Sequence, residues 1–110
     1  MELNLFVYGT LCPGKPNAHV LEAIGGKWIK ASVMGRLEQR GWGAKMGFAG
    51  IVLDSSGNEV NGYIFNSNNL ETHWNELDDF EGKDYKRVLT RVKTKDNSLV
   101  ESFIYVLQDS

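Results

Sequence analysis

Between Leu3 and Leu107 the apolar residues fall into short runs separated by turn residues, and only two stretches carry a helical pattern. A chain built this way has to pair its strands into a sheet and lay the helices against it. The first run, LNLFVY over Leu3–Tyr8, is closed by Gly9 and predicts a buried strand. Both prolines of the chain, Pro13 and Pro16, follow at once with Gly9 and Gly14, so Gly9–Asn17 is a well-punctuated loop. Asn17 is placed to cap a short helix through Ile24, which Gly25-Gly26 ends. Trp28–Leu37 reads as a strand in which Gly35 marks a bulge or a close approach of backbone.

Arg40–Gly50, RGWGAKMGFAG, is glycine-rich and irregular, either an ordered loop over a pocket or a plain connection. Ile51–Leu53 and Val60–Phe65 flank Asp54-Ser55-Ser56-Gly57-Asn58 and predict a hairpin. Asn68, with Glu71 three residues on, fits a capping box for a helix over about Asn69–Glu81, stopped by Gly82. Tyr85–Thr94, the turn Asp96-Asn97-Ser98 and Leu99–Leu107 read as a second hairpin. The order β, short α, several β, α, β-hairpin predicts one α+β domain over residues 1–110, with a largely antiparallel, barrel-like sheet.

Composition narrows the function classes. With 110 residues, 42% of them apolar and 24% charged, the chain can bury one core and is short for two domains. A net charge of −2 argues against electrostatic binding of nucleic acid. No run approaches the roughly 20 apolar residues of a spanning helix. Met1-Glu2-Leu3-Asn4 lacks the basic start of a secretory leader, so a cytoplasmic protein is expected. Cys12 is the only cysteine, which excludes an internal disulfide and a multi-cysteine metal site. His19 and His73 do not have the i, i+4 spacing of a helical zinc pair, and no metal site is expected.

One carboxylate stands apart from the rest. Counting about 100° per residue from Leu70 puts Trp74 at about +40°, Leu77 at about −20° and Phe80 at about −80°, which defines the buried face. Asp78 falls at about +80° and Asp79 at about 180°, toward the edge and the solvent, whereas Glu81 falls at about +20°, inside the apolar stripe. Burial and the negative end of the helix both disfavour its charged form, which raises its pKa and suits it to acid–base work near neutral pH. The competing reading has Glu81 pair with Arg87 or Arg91 on the next strand, or simply end the helix. The second candidate is Tyr8-Gly9-Thr10-Leu11, where a strand opens into a glycine turn. Successive N–H groups in such a turn form a nest for anions, although a plain turn has the same residues.

The two candidates together, Tyr8-Gly9-Thr10-Leu11 and then Leu77-Asp78-Asp79-Phe80-Glu81-Gly82 followed by Tyr85-Lys86-Arg87, resemble the gamma-glutamylcyclotransferase-like family, its gamma-glutamylamine branch in particular. Gly35-Arg36-Leu37 and Gly62-Tyr63 fall where that family carries similar pieces. The resemblance covers essentially the whole chain. It implies a small, mixed, mostly antiparallel β-barrel flanked by two main helices, with a cavity at one end. It also implies that backbone amides of Tyr8, Gly9, Thr10 and Leu11 bind a glutamyl group and that Glu81 is the catalytic acid–base. The implied reaction cyclises a gamma-glutamyl amide to 5-oxoproline and releases a free amine, with no cofactor. The implied partner is a small-molecule gamma-glutamyl substrate, with no nucleic acid and no membrane, and the chain a monomer or homodimer. A non-catalytic module that holds a gamma-glutamyl or other carboxylate ligand is the alternative on the same fold. An interaction domain anchored by Trp42 and Phe48 is a third reading.

The remaining residues leave alternatives open. Tyr85 either lines the cavity beside Glu81 or only packs, and Arg87 either holds a carboxylate or is a plain surface arginine. Cys12 reads as a free structural thiol, Trp28, Trp42 and Trp74 as packing residues, and the basic residues between Lys83 and Lys95 as a solvated face. One departure from the family lies in Glu38–Gly50, which has no proline where many relatives carry one. In the family such a loop frames the leaving-group pocket.

Overall fold

The structure is a computed structural model and describes residues 1–39 and 50–108. Arg40–Ala49, including Trp42 and Phe48, lies outside the described residues. In chain order the elements are β1 (Leu3–Val7), α1 (Ala18–Ile24), β2 (Lys27–Glu38), β3 (Gly50–Leu53), β4 (Asn58–Ser67), α2 (Trp74–Glu81), β5 (Tyr85–Thr94) and β6 (Leu99–Leu107). The strands follow the order β3-β2-β4-β1-β6-β5, and β5 pairs back onto β2 at Ala31↔Thr94 and Ser32↔Lys93. Strands β2, β4, β1, β6 and β5 therefore close a five-stranded barrel, and β3 adds to the end of β2. The first and last strands, β1 and β6, run parallel, while the other described pairings are antiparallel. This is the expected α+β class, with a mixed and mostly antiparallel sheet.

The unbroken apolar run of β1 has a simple cause: both of its faces are covered. Phe6 points into the barrel with Val33, Ile64, Val92 and Ile104. Leu5 and Val7 point outward, into a second core with Leu21 of α1 and Leu77 of α2. The same alternation runs along β6, with Ile104 and Val106 inside and Tyr105 outside. Among the described residues no helix is long and apolar enough to cross a membrane.

Three local expectations are corrected. β3 and β4 do not pair with each other as a hairpin; both run antiparallel to β2, and Gly35 lies opposite both Leu53 and Asn58. The intervening turn does form, with the Gly57 N–H donating to the Asp54 carbonyl at 2.9 Å, and it passes close over β2. A Cβ on Gly57 would lie 2.5 Å from the Gly35 carbonyl oxygen, and one on Gly35 would lie 2.8 Å from that of Val52. The close approach read at Gly35 is thus real. The two asparagine caps are absent, since the Asn17 side chain does not cap α1 and Asn68 with Glu71 forms no capping box. Ser67 and Asn69 do the tying instead: Ser67 Oγ donates to the Gly25 carbonyl at 2.6 Å, and Asn69 Nδ2 donates to the Ile24 carbonyl at 2.9 Å. The second helix also begins later than expected, because Leu70–His73 is a 3-10 turn. A 3-10 turn advances about 120° per residue, so the wheel holds only within Trp74–Glu81.

Candidate functional site

Within α2 the regular 3.6-residue repeat sets two residues one turn apart on the buried face, Leu77 and Glu81. Leu77 enters the outer core, while Asp78 and Asp79 face solvent and Trp74 and Phe80 are half-buried. Glu81 is 8% exposed. Removal from water disfavours its charged form, and burial pushes the carboxyl up to about 7 from 4.5. Gly82 then stops the helix with φ +78°, its N–H donating to the Asp78 carbonyl at 2.9 Å. A Cβ there would meet nothing, so glycine is required by the backbone conformation rather than by space.

Tyr8, which follows the end of β1, lies within electrostatic reach of this carboxyl. The Tyr8 hydroxyl donates to the Tyr105 carbonyl at 2.8 Å and accepts from the Ile51 N–H at 3.1 Å. It thereby pins β6 and β3 to the end of β1. Burial raises the Tyr8 phenol far above its ordinary range, the charges of Glu81 and Tyr85 raise it further, and the Ile51 bond opposes them. Glu81 and Tyr85 therefore both lie within electrostatic reach of Tyr8, at the end of the barrel where β1 and β6 finish and β5 begins.

The loop after Tyr8 folds on itself. The Gly9 carbonyl accepts from the Cys12 N–H at 3.1 Å, and the Thr10 carbonyl accepts from the Asn17 N–H at 2.9 Å. In a planar trans peptide the next N–H points opposite to the carbonyl. With both carbonyls turned into the loop, the N–H groups of Thr10 and Leu11 are directed away from those bonds. Thr10 and Leu11 are buried, whereas Tyr8, Gly9 and the largely buried Cys12 reach the wall of an open cavity of about 760 Å³ that also takes in Tyr63, Lys30 and Lys93. A smaller cavity of about 320 Å³ is lined by Asp78, Gly82, Tyr85, Lys86, Arg87 and Tyr105. Tyr85 is thus cavity-lining. Glu81 lines neither of these two cavities.

Arg87 has a different partner from the one weighed for Glu81. Its Nη1 donates to both carboxylate oxygens of Asp78, at 3.1 and 3.2 Å, and its guanidinium lies 4.3 Å from the Trp74 ring centroid. Tyr105 Oη donates to Asp78 Oδ1 at 2.6 Å. Asp78 and Tyr105 were not singled out in the sequence. The one signal was Asp78 at the edge of the apolar stripe, close enough to the sheet to be met from it.

The other candidates are placed away from this chemistry. His19 is exposed, and His73 Nδ1 lies 2.7 Å from the Asn69 carbonyl. Among the described residues no three His, Cys, Asp or Glu side chains are grouped to hold a metal ion. Trp28 packs on Phe65 and Tyr63, and Trp74 on Phe103. Burial pushes the Cys12 thiol up to about 11. Since the thiolate is the reactive form, iodoacetamide at pH 7.5 is expected to label Cys12 at least about tenfold more slowly in the folded chain than in urea, read by mass spectrometry.

Comparison with known proteins follows the same lines. The family described as gamma-glutamyl cyclotransferase, AIG2-like, matches residues 5–110. No curated protein matches the chain. A solved structure from Arabidopsis thaliana is 25% identical at a TM-score of 0.74, covering 97% of this chain, which spans only 62% of that protein. An AIG2-like protein of Mus musculus is 25% identical at a TM-score of 0.71, with 96% of this chain and 76% of that one covered. A structure titled gamma-glutamyl cyclotransferase shares the fold at a TM-score of 0.69 and 16% identity, over 99% of this chain and 68% of that one. With the family match running across almost its whole length and the same barrel in its structural neighbours, the chain belongs to the AIG2-like gamma-glutamyl cyclotransferase family.

Proposed function

We propose that this protein cyclises a gamma-glutamyl amide to 5-oxoproline and releases the free amine, with Glu81 as the general acid–base. The observation that carries the reading is the buried carboxyl of Glu81, 8% exposed and within electrostatic reach of Tyr8 at the start of the glycine loop, where burial pushes it up toward neutral pH. The reaction asks little of a protein, because nucleophile, electrophile and leaving group all belong to the substrate. Glu81 takes a proton from the substrate's α-ammonium, and the freed amine attacks the γ-carbonyl carbon. A C–N bond forms, and the negative charge on the carbonyl oxygen falls to backbone N–H donors of the Gly9–Leu11 stretch. Glu81 then returns its proton to the departing nitrogen as the original amide C–N bond breaks, and the new ring nitrogen gives up its second proton to the released amine, which leaves as an ammonium. Tyr85 and the loop hold the glutamyl chain folded, which lowers the entropic part of the barrier.

A base must be ionised to act. The kcat/KM for 5-oxoproline release is therefore expected to rise with pH through an acid limb near 7, set by Glu81. The profile is measured with one gamma-glutamyl amide across pH 4 to 9, in the manner of any pH–rate titration. An acid limb near 4.5, the ordinary carboxyl value, would contradict the assignment. Ligand-induced thermal stabilisation with no product would point instead to a binding module on this fold.

A further inference from the structure

We propose that Tyr105 is the positioning residue of this site, joining β1 to the last turn of α2 so that the glycine loop and Glu81 keep one register. The inference rests on the acid–base reading of Glu81.

Each half of the site hangs on one functional group of Tyr105. Its backbone carbonyl takes the Tyr8 hydroxyl at 2.8 Å, which fixes the residue from which the glycine loop starts. Its own hydroxyl donates to Asp78 Oδ1 at 2.6 Å, three residues before Glu81. Asp78 is in turn held by Arg87 of β5 at 3.1 Å, and the Arg87 guanidinium lies over the ring of Trp74, the first residue of the same helix. α2 has only eight residues, so few contacts of its own fix the direction of its last turn. The Asp78 carbonyl accepts the Gly82 N–H, so the clamped residue also carries the helix stop next to Glu81.

Tyr105 is 4% exposed, and its ring lies in the outer core with Leu77 and Leu5. Packing thus fixes the ring and leaves the hydroxyl as the adjustable contact. A purely structural tyrosine in this place needs only the ring. A positioning tyrosine needs the hydroxyl as well.

The test is Tyr105→Phe, which keeps the ring and the carbonyl and removes one donor without changing any charge. The expected result is a kcat about tenfold lower with KM within about twofold, because substrate still binds while the base is no longer held at its working place. The second readout needs no turnover: the titration of the Glu81 carboxyl followed by carbon-13 NMR. Tyr8, just after β1, and Tyr85 of β5 act electrostatically in the same neighbourhood, and Asp78 shares the helix. In wild type burial pushes Glu81 up to about 7, so its midpoint is expected there, and in Tyr105→Phe it is expected to fall toward 4.5 as water reaches the loosened turn. A folded Tyr105→Phe with unchanged kcat and an unchanged Glu81 titration overturns the proposal. If wild type forms no 5-oxoproline, the acid–base reading fails, and the Glu81 titration still decides the positioning role. Should Tyr105→Phe not fold, Asp78→Ala removes the acceptor of the Tyr105 hydroxyl together with the Arg87 ion pair. It is read by the same split between kcat and KM, with equal kcat overturning the proposal.

Discussion

Glu81→Gln is expected to fold normally and to lose turnover by about 10²- to 10⁴-fold, the usual contribution of a positioned acid–base group. Glutamine has the shape of the protonated carboxyl, the form that burial already favours, so the pocket need not change. The same substitution reports on stability with a sign fixed by linkage. In the folded chain the carboxyl is raised to about 7 from 4.5. The stability that goes with neutral Glu81 is therefore complete below 4.5 and lost as pH rises through 7. Glutamine does not titrate. The advantage of Glu81→Gln over wild type accordingly opens between these two values and levels off above them, at up to about 3 kcal/mol. For a domain of this size that is a Tm increase on the order of 10 °C. Thermal melts at pH 4 and pH 8.5 check it, and equal melting temperatures at both would mean that Glu81 titrates as an ordinary surface carboxyl.

Gly62→Ala is the second large effect, this time on the barrel itself. Gly62 lies on β4 opposite Ala31 of β2, and its neighbour Tyr63 pairs with Val7 of β1. A Cβ at Gly62 would stand 2.2 Å from the Val7 carbonyl oxygen and 2.8 Å from Phe6 Cζ. Neither atom can yield cheaply. One is backbone in a strand paired on both sides, and the other belongs to a ring 1% exposed inside the barrel. Relief requires β1 and β4 to part at the end of β1, next to Tyr8. A loss of roughly 3 kcal/mol or more is expected, as for severe overpacking, with a Tm decrease on the order of 10 °C or more. A change below about 1 kcal/mol in denaturant titration would mean that the strands at this point are farther apart than the structure has them.

What could be read from the sequence was what depends on neighbours. The hairpin Tyr85–Leu107 was legible to the residue, because a turn and two flanking apolar runs define it locally. The burial of Glu81 was legible because Trp74–Glu81 is a regular helix, and a wheel needs only local geometry. The 3-10 turn before it was not, since Asn69 and Ser67 are tied to the end of α1 rather than to their own helix. The pairing of β3 and β4 with β2 instead of with each other was hidden for a related reason. A turn sequence specifies a reversal, whereas which strand lies alongside is decided by closure of the barrel. Tyr105 was the least accessible of all, because both of its links to the site, Tyr8 and Asp78, are far from it in the chain. Its side chain faces the helices alongside Leu5 and Val7 through the pairing of β6 with β1, a match between the first and last strands that no local pattern announces.

The most direct test of the account is chemical. The purified protein is incubated with a panel of gamma-glutamyl amides that differ in the amine, and 5-oxoproline is quantified by mass spectrometry with Glu81→Gln in parallel. Wild type is expected to give 5-oxoproline and one free amine in equal amounts, with the variant reduced at least about a hundredfold. No 5-oxoproline from a folded wild-type protein, or equal amounts from wild type and Glu81→Gln, would contradict it.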